Sequence, residues 1–576
     1  MKHSCHITRF FLLAVLGLCP QVFAQDTFTG SGNWSNGANW SLGRPPQRTD
    51  NCVIPSSAMV TSDLAGECLN ITIGTGAIVT DTPGYLFIYG PSIVNQGTIN
   101  IGDGNGLANW QSGSTTTISG RGTINMTTPN CGLAGASGVP TNVIVNADNS
   151  IHGQGNLGLG EIGIVNNSLI DANVASGMLV LQSSGQGVTN TGTIQAQNGA
   201  TLRLIAGFIT IPFTNSGVIQ ASDGSTVNLS GYTYTGGTFR TMGTGVFIAN
   251  SAILINMTNA ANYHITGTGG DTTQLQGTIT NNGTFFAQGA LIIHGNVTLT
   301  GTGAVFAQGI NGGARVIASD VGGGVLTNQE LIHGGGPIGD SGLNLINQGT
   351  VNADDPANQL TIAGAATTNT GLMEATAGAT LNIQTPVDNS GGTVKAQTGT
   401  VVMVDAGFGG SVAGGTLIAD GTLTGSAIAP QLAIPSGQTL VGQGKVVADV
   451  TSSGTVIAGD SQIAPQMLTV TGNYTQTATG VLDIGIGTAS QGQLAVSNNV
   501  TLGGTLNISL VGNAVPAIGK TFTIVTGSAI SGQFATVKGV EINPNEHFQL
   551  VYGPTAVVLQ VVAGSAKKRL VQLTSE

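Results

Sequence analysis

An all-β fold, a right-handed parallel β-helix with an N-terminal cap and a C-terminal closing module, is predicted by three features of this sequence. A short phrase returns along the chain, residues alternate with period two inside it, and the composition is rich in glycine and poor in charge. The phrase is Asn, any residue, a small residue, a variable one, an apolar one, a variable one, Ala. It reads Asn166-Asn-Ser-Leu-Ile-Asp-Ala172, Asn190-Thr-Gly-Thr-Ile-Gln-Ala196, Asn215-Ser-Gly-Val-Ile-Gln-Ala221, Asn347-Gln-Gly-Thr-Val-Asn-Ala353 and Asn369-Thr-Gly-Leu-Met-Glu-Ala375. It also returns one residue short from Asn282 to Ala287 and one residue long from Asn389 to Ala396. The starting asparagines are 24, 25, 67, 65, 22 and 20 residues apart, and the two long gaps each hold about three units of 22. Self-similarity at such periods is the mark of a solenoid.

The local pattern decides which solenoid. In each phrase the apolar residue and the Ala flank a polar one, and a second alternating stretch follows after Gly, as in Gly199-Ala-Thr-Leu-Arg-Leu204 and Gly378-Ala-Thr-Leu-Asn-Ile383. Two or three short strands per 20 to 25 residues describe one coil of a parallel β-helix. One coil cannot bury its apolar face alone, so coils stack and each strand pairs with the rungs on either side. Asn tolerates a left-handed corner, and its amide can bond the equivalent Asn one coil away. A ladder of Asn166, Asn190, Asn215, Asn282, Asn347, Asn369 and Asn389 is therefore expected.

Composition agrees. Glycine makes up 91 of 576 residues and apolar residues 40%, whereas charged residues are only 7%. Stacked equivalent positions disfavour charge, because a repeated charge meets itself on the next coil. With 26 acidic and 15 basic side chains, the net charge of −11 gives no basic surface for nucleic acid.

Taken in chain order, residues 1–24 read as a signal peptide. Lys2 and Arg9 precede an apolar run from Phe10 to Leu18, and Val22-Phe23-Ala24 offers a cleavage site. Export to an extracellular, cell-surface or periplasmic location follows, and no later run is apolar and long enough to span a bilayer as a helix. Residues 25–90 form an aromatic cap and the first coils. Trp34 and Trp40 lie in Trp34-Ser-Asn-Gly-Ala-Asn-Trp40, which departs from the repeat. They are expected to cover the first coil, and the sharper alternative is a flat platform for stacking sugars. Cys52 and Cys68 sit in two similar apolar strands and are candidates for a disulfide between neighbouring strands. Two unpaired buried thiols are the other reading.

Residues 91–450 are the repetitive helix. Residues 451–562, with Gly454-Thr-Val-Ile-Ala-Gly459, Leu468-Thr-Val-Thr-Gly-Asn-Tyr474 and Gly519-Lys-Thr-Phe-Thr-Ile524, have longer strands suited to closing it, and 563–576 are a polar tail. The tract from Gly454 to about Phe534 resembles the C-terminal stabilising part of bacterial autotransporter-type passengers, and the upstream repeats resemble the β-helical stems of such passengers and of haemagglutinin-like adhesins. The resemblance implies an extracellular stem or adhesin of bacterial type. The stretch after Val562 is too short for the membrane β-barrel of an autotransporter, so release, or attachment through partners, is expected.

Chemistry is sparse. On coil arithmetic, His333, Asp354 or Asp355, Glu374 and Lys395 lie about one coil apart in turn and are the candidate catalytic cluster, with Glu374 and Lys395 as neighbours of opposite sign. No zinc spacing and no nucleophile with a base partner appears, and no cofactor is expected. The expected role is structural or adhesive rather than enzymatic, with a host or matrix surface, glycans or other copies of the chain as partners. The alternative is a carbohydrate-active β-helix, either a polysaccharide lyase or hydrolase or a glycan binder.

Overall fold

The computed structural model describes residues 23–564 apart from 83, 103–105, 110–113, 136–139, 208–210, 268–269, 309–315, 427–429, 461–463 and 489. Nearly all of the expected signal peptide and of the polar tail lies outside the described residues. The chain is all-β, 60% strand and 1% helical, wound into a parallel β-solenoid of about 20 turns. At the ~4.8 Å spacing between paired strands, that number of turns makes a rod on the order of 100 Å long.

Most coils contribute three short strands, and in the middle of the solenoid two of them merge into one long strand, as in Thr272–Asn281 and Ile317–Asn328. Val188–Asn190, Thr193–Ala196 and Thr201–Ile205 form one set of three, stacked in parallel on Ile211–Asn215, Val218–Ala221 and Thr226–Thr235 of the next coil. Like sits on like, with Ile194 opposite Ile219, Gln195 opposite Gln220 and Ala196 opposite Ala221. Period-two alternation sends Ile194 and Ala196 inward, where both are fully buried, and leaves Thr193 and Gln195 outside. The core is therefore a column of aliphatic side chains running along the axis, widened in the middle by Phe213, Tyr232, Tyr234, Phe239, Phe247, Tyr263 and Phe285. Phe239 and Phe247 stack at 5.1 Å between ring centroids, and Tyr263 meets Phe285 edge-on at 5.1 Å.

Every position of the phrase has a physical role. Its Asn turns inward at a corner and hands a hydrogen bond down the axis. Asn146 donates to Asn166 (2.9 Å), Asn166 to Asn190 (2.9 Å) and Asn190 to Asn215 (2.8 Å). A second run goes from Asn328 to Asn347 (2.8 Å), Asn369 (2.8 Å) and Asn389 (2.7 Å). The same amides also bond their own corner, as Asn166 does to the Ser168 carbonyl at 3.1 Å. The small residue is set by close approach. A Cβ on Gly371 would lie 2.2 Å from the Gly349 carbonyl oxygen of the preceding coil, and one on Gly217 would lie 2.0 Å from that of Gly192. The final Ala fills an inner corner, as the fully buried Ala221 and Ala353 do. Gly371→Ala is accordingly expected to destabilise by about 2–3 kcal/mol, because the obstacle is backbone of a packed neighbour and cannot swing aside. Denaturant unfolding of the variant beside Gly378→Ala checks this, since Gly378 has open space around its Cβ position and pays only for its positive φ.

One expectation about the repeat is corrected. The ladder member is Asn281, not Asn282. Asn281 is buried and accepts from Asn259 at 2.8 Å, whereas Asn282 is exposed at the corner. Read from Asn281, the phrase has its full length through Ala287. The long gaps, expected to hold about three units each, contain rungs that depart from the phrase: Asn259-Ala-Ala-Asn-Tyr-His-Ile265, with Ile in place of the closing Ala, and Asn328-Gln-Glu-Leu-Ile-His-Gly334, with Glu330 at the small position and Gly at the closing one. In between, the coil rolls by one side. The strand Val246–Ile255 pairs with Asn262–Ile265 through its first half and with Thr272–Asn281 through its second.

The ends depart from the repeat. Trp34 and Trp40 are 2% and 3% exposed and pack edge-on at 4.8 Å, with Phe28 edge-on to Trp40 at 5.0 Å. The Trp40 indole N–H donates to the Trp34 carbonyl at 2.8 Å. They close the first coils and offer no face to a sugar, so the stacking platform is not there. Cys52 and Cys68 are free, buried thiols rather than a disulfide. Their strands do not pair with each other: Cys52 lies in register with Ile71, and Cys68 with Ile88. The two thiols meet inside the coil, where burial and then each other's company push Cys52 far above the ordinary thiol range.

At the far end parallel coils continue to Thr536–Lys538. There the antiparallel pair Glu546–Tyr552 and Ala556–Ala563 folds back on Thr521–Thr526. Among the described residues, no helix is long and apolar enough to cross a membrane.

Candidate functional site

The residue before the closing position of the phrase lies on the outer side of its strand, although Asp171 and Gln220 are covered there by their neighbours, and stacking lines these residues into a column. On one side of the solenoid the register runs without a break from Ile248 through His264, Phe286, Phe306, His333, Asn352, Glu374 and Lys395 to Ile418. All are partly exposed. Four consecutive rungs of this column carry rings. His264 and Phe286 stack at 4.4 Å and 11°, Phe306 turns edge-on to Phe286 at 6.2 Å, and His333 tilts against Phe306 at 5.0 Å. Burial in the stack holds His264 below the ordinary imidazole range, which favours its neutral form.

Beside the rings, at the corner that starts each phrase, runs a groove of about 520 Å³ lined by Thr241, Asn262, Asn282, Thr284, Thr302 and Ala304 among others. Its lining supplies amides, hydroxyls, small apolar groups and backbone, with no charged side chain. On the other flank Gln288 donates to Gln308 across one rung at 2.8 Å.

The structure brings the expected cluster only partly together. His333 Nδ1 lies 2.9 Å from an Asp354 carboxylate oxygen, with the two side chains 24% and 29% exposed. Glu374 is one rung beyond Asn352 and therefore two rungs, roughly 10 Å, from His333. Its carboxylate accepts from Gln397 at 3.2 Å, and Lys395 stands beside it in register. Asp355 is turned away into its own loop, accepting from the Ala357 amide (2.9 Å) and the Asn358 side chain (2.7 Å), and these bonds hold it below the usual carboxylate range. The four groups thus spread along the axis rather than converging on one reacting atom.

Sequence reasoning missed His264, Phe286 and Phe306. For His264 and Phe286 the signal was available, because each is the sixth residue of a phrase once its asparagine is placed at 259 or 281; Phe306 stands in the same position of a unit that begins with Gly301 instead of Asn. Two further His–Asp contacts lie elsewhere. His152 Nδ1 is 3.1 Å from Asp171, which also accepts from Gln195 and Gln197, and His294 meets Asp320. Among the described residues no three His, Cys, Asp or Glu side chains gather as metal ligands. No protein family's sequence profile matches the chain, and neither does any curated protein.

Proposed function

We propose that the protein is an exported, elongated stem whose outer faces serve adhesion or assembly, of the kind formed by autotransporter-type passengers and haemagglutinin-like adhesins. The observation that supports this reading most is the outward register held rung on rung from Ile248 to Ile418. Such a surface presents one chemistry repeatedly along a rod and contacts an extended or repetitive target at many points, where single weak contacts add up. The basic start, apolar run and small residues before Gln25 support export.

Expression of the full chain with N-terminal sequencing of the product tests it, together with binding of the purified protein to immobilised cell surfaces and matrix. The reading expects a chain beginning near Gln25 outside the inner membrane and retention on at least one such surface. An unprocessed chain held in the cytosol contradicts it.

The contact of His333 with Asp354, with Glu374 two rungs away, favours a polysaccharide-cleaving enzyme as the second reading. Release of unsaturated products from polyuronates, lost in Glu374→Gln, is the outcome that would favour it over the stem.

A further inference from the structure

We infer that the ring column and the groove beside it form a track for an uncharged glycan chain lying along the solenoid axis. The inference rests on the stem reading and names what one face of the stem holds. Four observations carry it.

First, Phe286 and Phe306 remain partly exposed although the interior takes aromatic rings readily at Phe239, Phe247 and Phe285. Period two puts them outside, and rings that stay outside in register present a continuous carbon surface to a ligand. Second, Phe306 is rotated 75° from Phe286, so the column carries both ring edges and a turned ring face, a surface matched by the alternating C–H and hydroxyl edges of a saccharide.

Third, the groove running parallel to the rings is lined by Asn262, Asn282, Thr284 and Thr302, which donate and accept as sugar hydroxyls do. Its ~520 Å³ lies within the range of ligand clefts. Fourth, charge sets the class. Among the described residues the four ring rungs carry no Lys or Arg; Arg240, in register with Ala260 at the near end of the groove, is held by Gln220, and the acids that flank the rings, Asp271 and Asp354, are held by Thr266 and His333. A polyanionic glycan would find no cationic row to meet it, and a strongly basic partner would find no carboxylate row, so an uncharged chain is the complement. The rungs repeat at the ~4.8 Å strand spacing, which offers each sugar unit of an extended chain a similar contact.

The test is affinity electrophoresis of the full exported chain through native gels containing β-glucan, xylan or galactomannan, with polygalacturonate as the charged control. Retardation in at least one neutral gel is expected, unchanged by 0.5 M salt on the order of magnitude that screens ionic contacts. It should fall at least about tenfold in Phe286→Ala/Phe306→Ala, a change of 1.4 kcal/mol or more in binding. Ala304→Arg, which fills the groove and leaves the rings untouched, should weaken it likewise. Both variants should keep the circular dichroism and melting of the parent.

Several results overturn the inference. These are absence of retardation in every neutral gel, retardation indifferent to both variants, and retention only by polygalacturonate that salt abolishes. Concentration-dependent self-association lost in the double variant would instead assign the column to contact between copies. Any of these leaves the stem reading standing if the chain is exported and retained on surfaces, so the two failures are distinguishable.

Discussion

Asn347→Leu is expected to lower stability by about 3–5 kcal/mol, whereas Asn282→Leu should cost no more than about 1 kcal/mol. The two residues look alike in sequence, each an Asn at the start of a phrase. Asn347 is fully buried, accepts from Asn328 and donates to Asn369, Gly349 and Leu372. Leucine in its place keeps the volume roughly but removes the acceptor of one neighbour and the donor of the other. Orphaned buried amides cost ~1–3 kcal/mol each, which exceeds what the added apolar surface returns inside a corner already closed. The Asn282 side chain stands in solvent and accepts from the Thr302 amide and hydroxyl at the rim. Denaturant titration followed by circular dichroism reads both. Equal effects would mean that the ladder carries no special stabilisation.

The second large effect is a fall in stability with rising pH. Asp81 is fully buried within the early coils, and among the described residues no side chain or backbone group makes a well-formed hydrogen bond to its carboxylate oxygens. The nearby Leu86 amide opposes the effect of burial only weakly, and burial raises the group to about 8. In the unfolded chain the same group titrates near 3.8. The folded state therefore keeps a proton that the unfolded chain has released, so the full stabilisation holds below pH 4 and is lost as pH rises towards 8. The loss amounts to about 5 kcal/mol as an order of magnitude.

Glu330 adds a slope of the same sign between 4.5 and about 7, because burial outweighs the single bond it receives from Asn281. Asp50 runs the other way in a lower window. Its bond with Arg44 holds it below its ordinary value, so its contribution is lost only as pH falls through the acid range. Asp81→Asn should flatten most of the slope and raise stability at pH 8 by about 2–4 kcal/mol. Unfolding midpoints at pH 5, 7 and 8.5 decide it, and a parent whose stability rises across this range would contradict the account.

Much of the coil was legible because its demands are local and repeated. Asn166, Asn190 and Asn215 announce a corner, and Ile194 and Ala196 an inward face. What escaped came from side chains that substitute for the repeat at a distance. Glu330 occupies a small-residue position yet reaches two coils back to Asn281, 49 residues away, across a rung where Gly301 leaves the ladder empty. No local pattern announces that contact. Trp34 and Trp40 were legible as a cap, but only their packing against Phe28 removes the alternative of a sugar platform, and period alone cannot say whether Cys52 and Cys68 share a rung. At the candidate site, spacing placed His333, Asp354, Glu374 and Lys395 on successive coils. It did not reveal that the polar members are drawn out along the axis while rings occupy the rungs before them.

Crosslinking of cysteine pairs introduced on the outer face tests the stacked parallel register most directly. Thr393, Thr416 and Thr439 lie opposite one another on three successive rungs. A thiol crosslinker with a reach of about 5 Å, one rung, should join Thr416→Cys/Thr439→Cys and Thr393→Cys/Thr416→Cys efficiently and leave Thr393→Cys/Thr439→Cys unjoined. Efficient joining of the outer pair with failure of both adjacent pairs would contradict the winding on which every other statement depends.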